Sequence, residues 1–170
     1  KRSFHEKIIY IDKNTFISEE KYDYHIPIGT LPRFFRNHKE DFERGKKPYL
    51  KADERKTNLY KNKLKDSKSK KIIGISWSSK SKINKNKSFS LEEFILGIYS
   101  NNICFINLQY GDQKNEINNL KRKYNIDIID LKEVDIYNNI DDLASLINAC
   151  DLVISIENMI FSLAGALGIH

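Results

Sequence analysis

Asp151-Leu-Val-Ile-Ser-Ile-Glu-Asn158, followed at once by Met159-Ile-Phe-Ser-Leu-Ala-Gly-Ala-Leu-Gly168, is the stretch whose reading decides the fold. An apolar run stops at a polar pair and turns directly into a segment of small residues. The pattern predicts a buried strand over Leu152–Ile156 and a helix over Met159–Leu167. In open α/β sheets a ligand sits where strands end and helices begin. The first N–H groups of a helix lack intrahelical partners, and the helix dipole favours an anion there. A strand, polar turn and helix in this order suit the phosphates of a nucleotide.

Working outward, the same alternation recurs. Lys71–Trp77 is an expected strand, and Ser78–Lys87 an expected loop. Ser90 followed by Glu93 forms a capping-box pattern, and Phe89 and Phe94 have the spacing of a hydrophobic staple. Leu91, Phe94, Ile95 and Ile98 share one helical face. Ile103–Leu108 is the second expected strand. Gly111 breaks it, and Asp112 is placed to cap a helix reaching Tyr124, with Asn125 suited to its end. Ile126–Asp130 is the third strand, and Ile136–Ile140 a loop. Asp141 or Asp142 caps a helix carrying Leu143, Leu146, Ile147 and Cys150. Strands alternating with helices predict parallel βαβ units with right-handed crossovers. Runs such as Ile-Cys-Phe-Ile at 103–106 fit strands covered on both faces. The expected fold class is therefore α/β: a Rossmann-like parallel sheet with helices on both faces.

The first third reads differently. Lys7–Asp12 is a candidate strand, Tyr24–Thr30 an extended segment and turn, and Leu31–Phe42 a candidate helix with Thr30 as cap and Pro32 in its first turn. A further helix is expected over Asn58–Leu64. The polar run Lys65–Lys70 marks a domain boundary, which gives residues 1–66 as the remnant of a preceding domain and linker, and 67–170 as the Rossmann-like domain. A start at Lys1 without Met and an end just past an apolar helix lead to the expectation of a fragment truncated at its carboxy terminus.

Composition narrows the class. The chain has 170 residues, 40% apolar content and a net charge of +6. No apolar run is long enough to span a bilayer, and no secretory leader pattern is present. The expected location is cytoplasmic, extending to the periphery of the inner membrane. Cys104 and Cys150 each lie in an apolar segment and read as buried thiols. His5, His25, His38 and His170 lack metal-ligand spacing, so no metal site is expected. Between Lys61 and Lys87, Asp66 is the lone acid, whereas between Asp127 and Glu157, Lys132 is the lone base. The lysines are not interleaved with aromatics, which disfavours nucleic-acid binding. No Walker loop, Gly-x-Gly-x-x-Gly turn or Gly-x-Ser-x-Gly elbow occurs.

The loops after the strands are where chemistry is expected. Ser78, Ser79 and Lys80 follow Trp77 and are placed to meet a diphosphate, with the lysine as a mobile point charge. Gln109-Tyr110-Gly111-Asp112 is placed to meet a base or ribose, since Gly111 lets backbone approach closely. Glu157 suits ribose or sugar hydroxyls, and Asn158 either bonds a ligand or caps the helix that begins at Met159.

In order and spacing, Gly74-Ile-Ser-Trp77, Ser90-Leu-Glu-Glu93, Leu108-Gln-Tyr-Gly-Asp112, Asp142-Leu-Ala-Ser-Leu-Ile147, Asp151-Leu-Val-Ile-Ser155 and Leu163-Ala-Gly-Ala-Leu-Gly168 resemble one family. It is the carboxy-terminal half of bacterial glycosyltransferases related to the ADP-heptose lipopolysaccharide heptosyltransferases. Ile26-Pro-Ile-Gly-Thr-Leu-Pro32 is similar to the region that precedes this domain in relatives linked to tetratricopeptide repeats. The resemblance implies half of a GT-B architecture and a metal-independent glycosyltransferase without a cofactor. The implied donor is a nucleotide-diphosphate sugar, and the acceptor a glycan, a lipid-linked molecule or a protein. It implies that Ser78, Ser79, Lys80, Glu157, Asn158 and Met159 face the diphosphate, and that Tyr110 and Gly111 lie near the nucleoside. It assigns no catalytic residue here. Family members carry an Asp-Asn-Ser-Thr-x-His-like turn where this chain has Glu157-Asn158-Met159-Ile160-Phe161-Ser162. That departure supports an alternative: a degenerate, non-catalytic domain that binds protein or glycan.

Overall fold

The computed structural model describes residues 2–4, 8–9, 11–12, 14–43, 48–64, 70–79 and 88–170. The chain divides into two compact units, Lys1–Leu50 and Lys51–His170.

In the first unit, the helix expected over Leu31–Phe42 is broken in two. A 3₁₀ turn covers Leu31–Phe34, and α1 covers Lys39–Glu43. Thr30 stands at the cap position without making a side-chain bond. The Asp41 carboxylate explains the break, because it accepts the N–H groups of Asn37 and His38, both at 3.1 Å, and so starts a new helix. The described residues of the candidate strand Lys7–Asp12 are exposed and form no strand. Among the described residues of this unit no strand offers the ladder that one would need.

The second unit begins before the expected boundary at residue 67. Asp53 accepts from the N–H groups of Arg55 and Lys56 at 3.0 and 3.1 Å and starts α2, Glu54–Lys63. The expected helix over Asn58–Leu64 is thus the second half of a longer one. Ala52, Thr57, Tyr60 and Leu64 are buried. Helix α2 packs on α5, Ile140–Ile147, and is tied to it by the ion pair of Lys56 with Asp142. Residues 65–69, most of the expected linker, lie outside the described residues.

Among the described residues, four parallel strands form one sheet: β1 Lys71–Ser76, β2 Ile103–Asn107, β3 Ile128–Ile129 and β4 Leu152–Ser155. Their spatial order is β3-β2-β1-β4. In register, Ile73 faces Phe105 on one side and Leu152 on the other. The α/β Rossmann-like fold expected from the alternation is the fold observed.

Helices α3, Leu91–Leu96, and α4, Lys114–Tyr124, cover one face. There Ile73, Ile75, Trp77 and Phe105 pack with Leu91, Ile95 and Leu120. Fully burying each Ile or Leu contributes about 1.5–3 kcal/mol. The Ser90–Glu93 capping box forms, and the Phe89 and Phe94 rings lie 6.2 Å apart. On the opposite face α5 and α6, Met159–Leu167, pack together. A Cβ added at Gly74 there would lie 2.4 Å from Leu108 Cδ1 and 3.1 Å from Cys150 Sγ.

Some caps differ from expectation. Asn139, not Asp141 or Asp142, caps α5, accepting from the N–H groups of those two residues at 3.2 and 3.1 Å. Asp142 is left to pair with Lys56. Helix α4 begins at Lys114, whose N–H Asp112 accepts at 3.1 Å. Asn125 ends α4 in the left-handed region, with φ 55°. On the outer edge of β4, Val153 N–H donates to the His170 carbonyl at 2.7 Å.

Candidate functional site

The order β3-β2-β1-β4 puts a topological switch point between β1 and β4. From β1 the chain first moves outward through β2 and β3, then returns to place β4 on the other side of β1. The connections after β1 and β4 therefore diverge to opposite faces, the arrangement that in open α/β sheets forms a crevice at the carboxyl ends of the strands. Trp77, Ser78 and Ser79 follow β1, and Ile156, Glu157 and Asn158 follow β4. Ser78 and Ser79 are half-buried, whereas Glu157 is exposed. Lys80 lies outside the described residues.

Polar side chains at the strand tips hold these loops. Gln109 is fully buried, and its Oε1 accepts three hydrogen bonds. They come from Ser76 Oγ at 3.0 Å, Trp77 N–H at 3.1 Å and Ser78 N–H at 2.9 Å. Asn158 donates from Nδ2 to Ser76 Oγ at 2.8 Å. Its Oδ1 accepts from Ser155 Oγ at 3.0 Å and from the N–H groups of Ile160 and Phe161 at 2.9 and 3.3 Å. Asn158 is thus the α6 cap, and two of the first N–H groups of that helix are already satisfied. Met159 occupies the first helical position with its side chain 44% exposed, and Phe161 is 58% exposed. Ser79 N–H is held by Ser88 Oγ at 3.0 Å.

Beside the crevice, at the ends of β2 and β3, lies a cavity of about 590 Å³. Asn107 and Gln109 lie at its strand-tip side, Ile117, Val134 and Leu146 supply apolar surface, and Gly111 and Tyr137 lie along the loops. Gly111 has φ 99°, a left-handed value that a side chain would strain. The Tyr110 and Tyr137 rings lie 6.3 Å apart. Asp112, Asp130, Glu133 and Asp135 give the lining an acidic bias over Lys114 and Lys132. Asp135 is held below the usual carboxyl range, first by the Asn138 N–H and then by the Asn138 side chain. Glu133 is lowered chiefly by its hydrogen bond from Lys63. Both carboxylates are thus already engaged within the chain, as are Asp112 with Lys114 N–H and Asp130 with Asn107.

Tyr110 and Gly111 thus stand next to the cavity, Ser78 meets its wall through Gln109, and Ser79, Glu157 and Asn158 follow the ends of β1 and β4. Sequence reasoning missed Ser76, Asn107, Asp130 and Tyr137. A signal was present for the first two, since each is a polar residue closing an apolar strand.

Among the described residues, no helix is long and apolar enough to cross a membrane, and no cluster of three His, Cys, Asp or Glu is arranged to hold a metal ion. Cys104 and Cys150 are buried, and neither is in a disulfide among the described residues. No protein-family model matches the chain, and no solved structure matches it. The curated protein FlbA of Caulobacter vibrioides is 30% identical over 152 residues, which cover 88% of this chain and 25% of FlbA. The chain therefore spans about a quarter of the length of that curated relative.

Proposed function

We propose that residues 51–170 form the nucleotide-sugar-binding half of a glycosyltransferase of GT-B architecture. The observation that carries this reading is the cavity of about 590 Å³ set beside the β1–β4 crevice. A nucleoside fits the cavity, where Tyr137 offers an aromatic face and the carboxylates suit ribose hydroxyls. The diphosphate then runs along the strand tips toward Ser78, Ser79 and the start of α6. Hydroxyls and Lys80 would neutralise the departing diphosphate as the sugar passes to an acceptor hydroxyl on a glycan, a lipid-linked molecule or a protein. Calorimetric titration of the full-length protein with UDP-, GDP- and ADP-sugars tests the reading. Saturable binding is the expected result, and no heat with any of the three would end it.

A second reading has its own observation. Asn158 already caps two α6 amides, and Met159 and Phe161 present apolar side chains at that turn. This favours a degenerate domain that binds protein or glycan without transferring sugar. Placing Ser, Thr and His at positions 159, 160 and 162 separates the two. A gain of nucleotide affinity supports an ancestral donor site, whereas persistent silence supports the binding module.

A further inference from the structure

We propose that Ser76 is a positioning residue that couples the nucleoside cavity to the phosphate-facing crevice, so that the two halves of one nucleotide ligand bind cooperatively. This rests on the nucleotide-sugar reading above. The observation is an unbroken hydrogen-bond relay across the tips of all four strands. Asp130, at the end of β3, accepts from Asn107 Nδ2 at 3.3 Å. Asn107 Oδ1, at the end of β2, accepts the Gln109 N–H at 2.9 Å. Gln109 Oε1 accepts from Ser76 Oγ, at the end of β1, at 3.0 Å. Ser76 Oγ accepts from Asn158 Nδ2, at the start of α6, at 2.8 Å. Ser155 Oγ of β4 shares its one proton between Asn158 Oδ1 at 3.0 Å and the Ile156 carbonyl at 2.8 Å.

The two ends of this relay do different things. Asp130, Asn107 and Gln109 line the cavity. Asn158 sets the first turn of α6. Ser76 lies between them, fully buried and outside the cavity lining. Its direction is fixed chemically. The Gln109 carbonyl oxygen only accepts and the Asn158 amide nitrogen only donates. A ligand that orders the cavity end thereby lowers the cost of ordering the crevice end, and the reverse holds by linkage.

Replacing Ser76 by Ala cuts the relay at its middle and leaves both halves built. Gln109 still holds the Trp77 and Ser78 amides, and Asn158 still caps α6. The test is calorimetry on the full-length protein and on Ser76→Ala. The ligands are uridine, guanosine and adenosine, their 5′-diphosphates, and inorganic pyrophosphate; weak ligands are read by displacement of the bound diphosphate. For the base that binds, Ser76→Ala is expected to weaken the diphosphate by about three- to tenfold. The nucleoside alone and pyrophosphate alone should change by less than about twofold, since neither spans the relay. An equal loss for all three ligands overturns the proposal, because it signals general damage. An unchanged diphosphate affinity also overturns it. Wild-type protein that binds none of the ligands removes the nucleotide-sugar reading itself, and the relay's ligand role falls with it.

Discussion

The Trp77 indole Nε1 donates to Glu116 Oε2 at 3.1 Å, and the same oxygen accepts the Leu91 N–H at 3.3 Å. One carboxylate of α4 thus ties the end of β1 to the first turn of α3. Glu116→Ala leaves a buried indole N–H without its acceptor, and is expected to cost about 1–3 kcal/mol of stability. Glu116→Gln keeps an acceptor and should cost less than half as much. Trp77 is the one tryptophan of the sequence, so its fluorescence during urea unfolding reads both variants.

Gly74 is expected to resist substitution for want of space. Its added Cβ would meet Leu108 Cδ1 at 2.4 Å. Leu108 is fully buried and has little room to yield. Gly74→Ala should therefore destabilise by about 1–3 kcal/mol through overpacking. A melting point equal to wild type would show that Leu108 repacks freely.

The α5 cap distinguishes the structure from the sequence pattern. Asn139→Ala should cost about 1 kcal/mol, seen as a lower urea midpoint. Asp141→Ala should cost less than that, since its carboxylate does not make the cap bonds.

Truncation should respect α2. A chain beginning at Lys51 keeps Tyr60 and Leu64 buried and is expected to unfold cooperatively. A chain beginning at residue 67 forfeits both, roughly 1.5–3 kcal/mol for each apolar side chain, and uncovers α5. Equal unfolding midpoints for the two chains would contradict the packing of α2.

Burial pushes the Cys150 thiol up to about 12, with the Asp151 charge adding to the effect. The raised value favours the neutral thiol in the folded state. Its contribution to stability is complete below the ordinary value of 9.0 and declines as pH rises toward about 12. Iodoacetamide at pH 8 should label Cys150 only as fast as the protein opens. Mass spectrometry with and without urea checks this.

The sheet was legible because its strands are covered on both faces, and such strands write themselves as apolar runs. Ile103–Asn107 shows this directly, whereas Leu152–Ser155 carries the same apolar run although it is half-buried throughout. The Met159–Leu167 helix was equally legible, because its polar start and glycine end bracket it. What escaped were features decided by competition among neighbours. Asn139 outcompetes Asp142 for the α5 cap because Lys56, 86 residues away, takes the Asp142 carboxylate. The break between Leu31 and Phe42 depends on where the Asp41 side chain turns. At the candidate site, Tyr110 and Gly111 could be placed from a strand end and a glycine. Ser76 stood out as a polar residue closing an apolar strand, but its two partners, Gln109 and Asn158, could not be read from that.

The hydrogen bond from Val153 to the His170 carbonyl bears on how the molecule avoids its own kind. Isoleucine-rich parallel strands with open rims invite pairing with stray chains. Among the described residues the two outer strands differ in this respect. β3 is two residues long, too brief to template an intruder. On the outer side of β4, the chain's own carbonyl already occupies the Val153 donor that an intruding strand would need first.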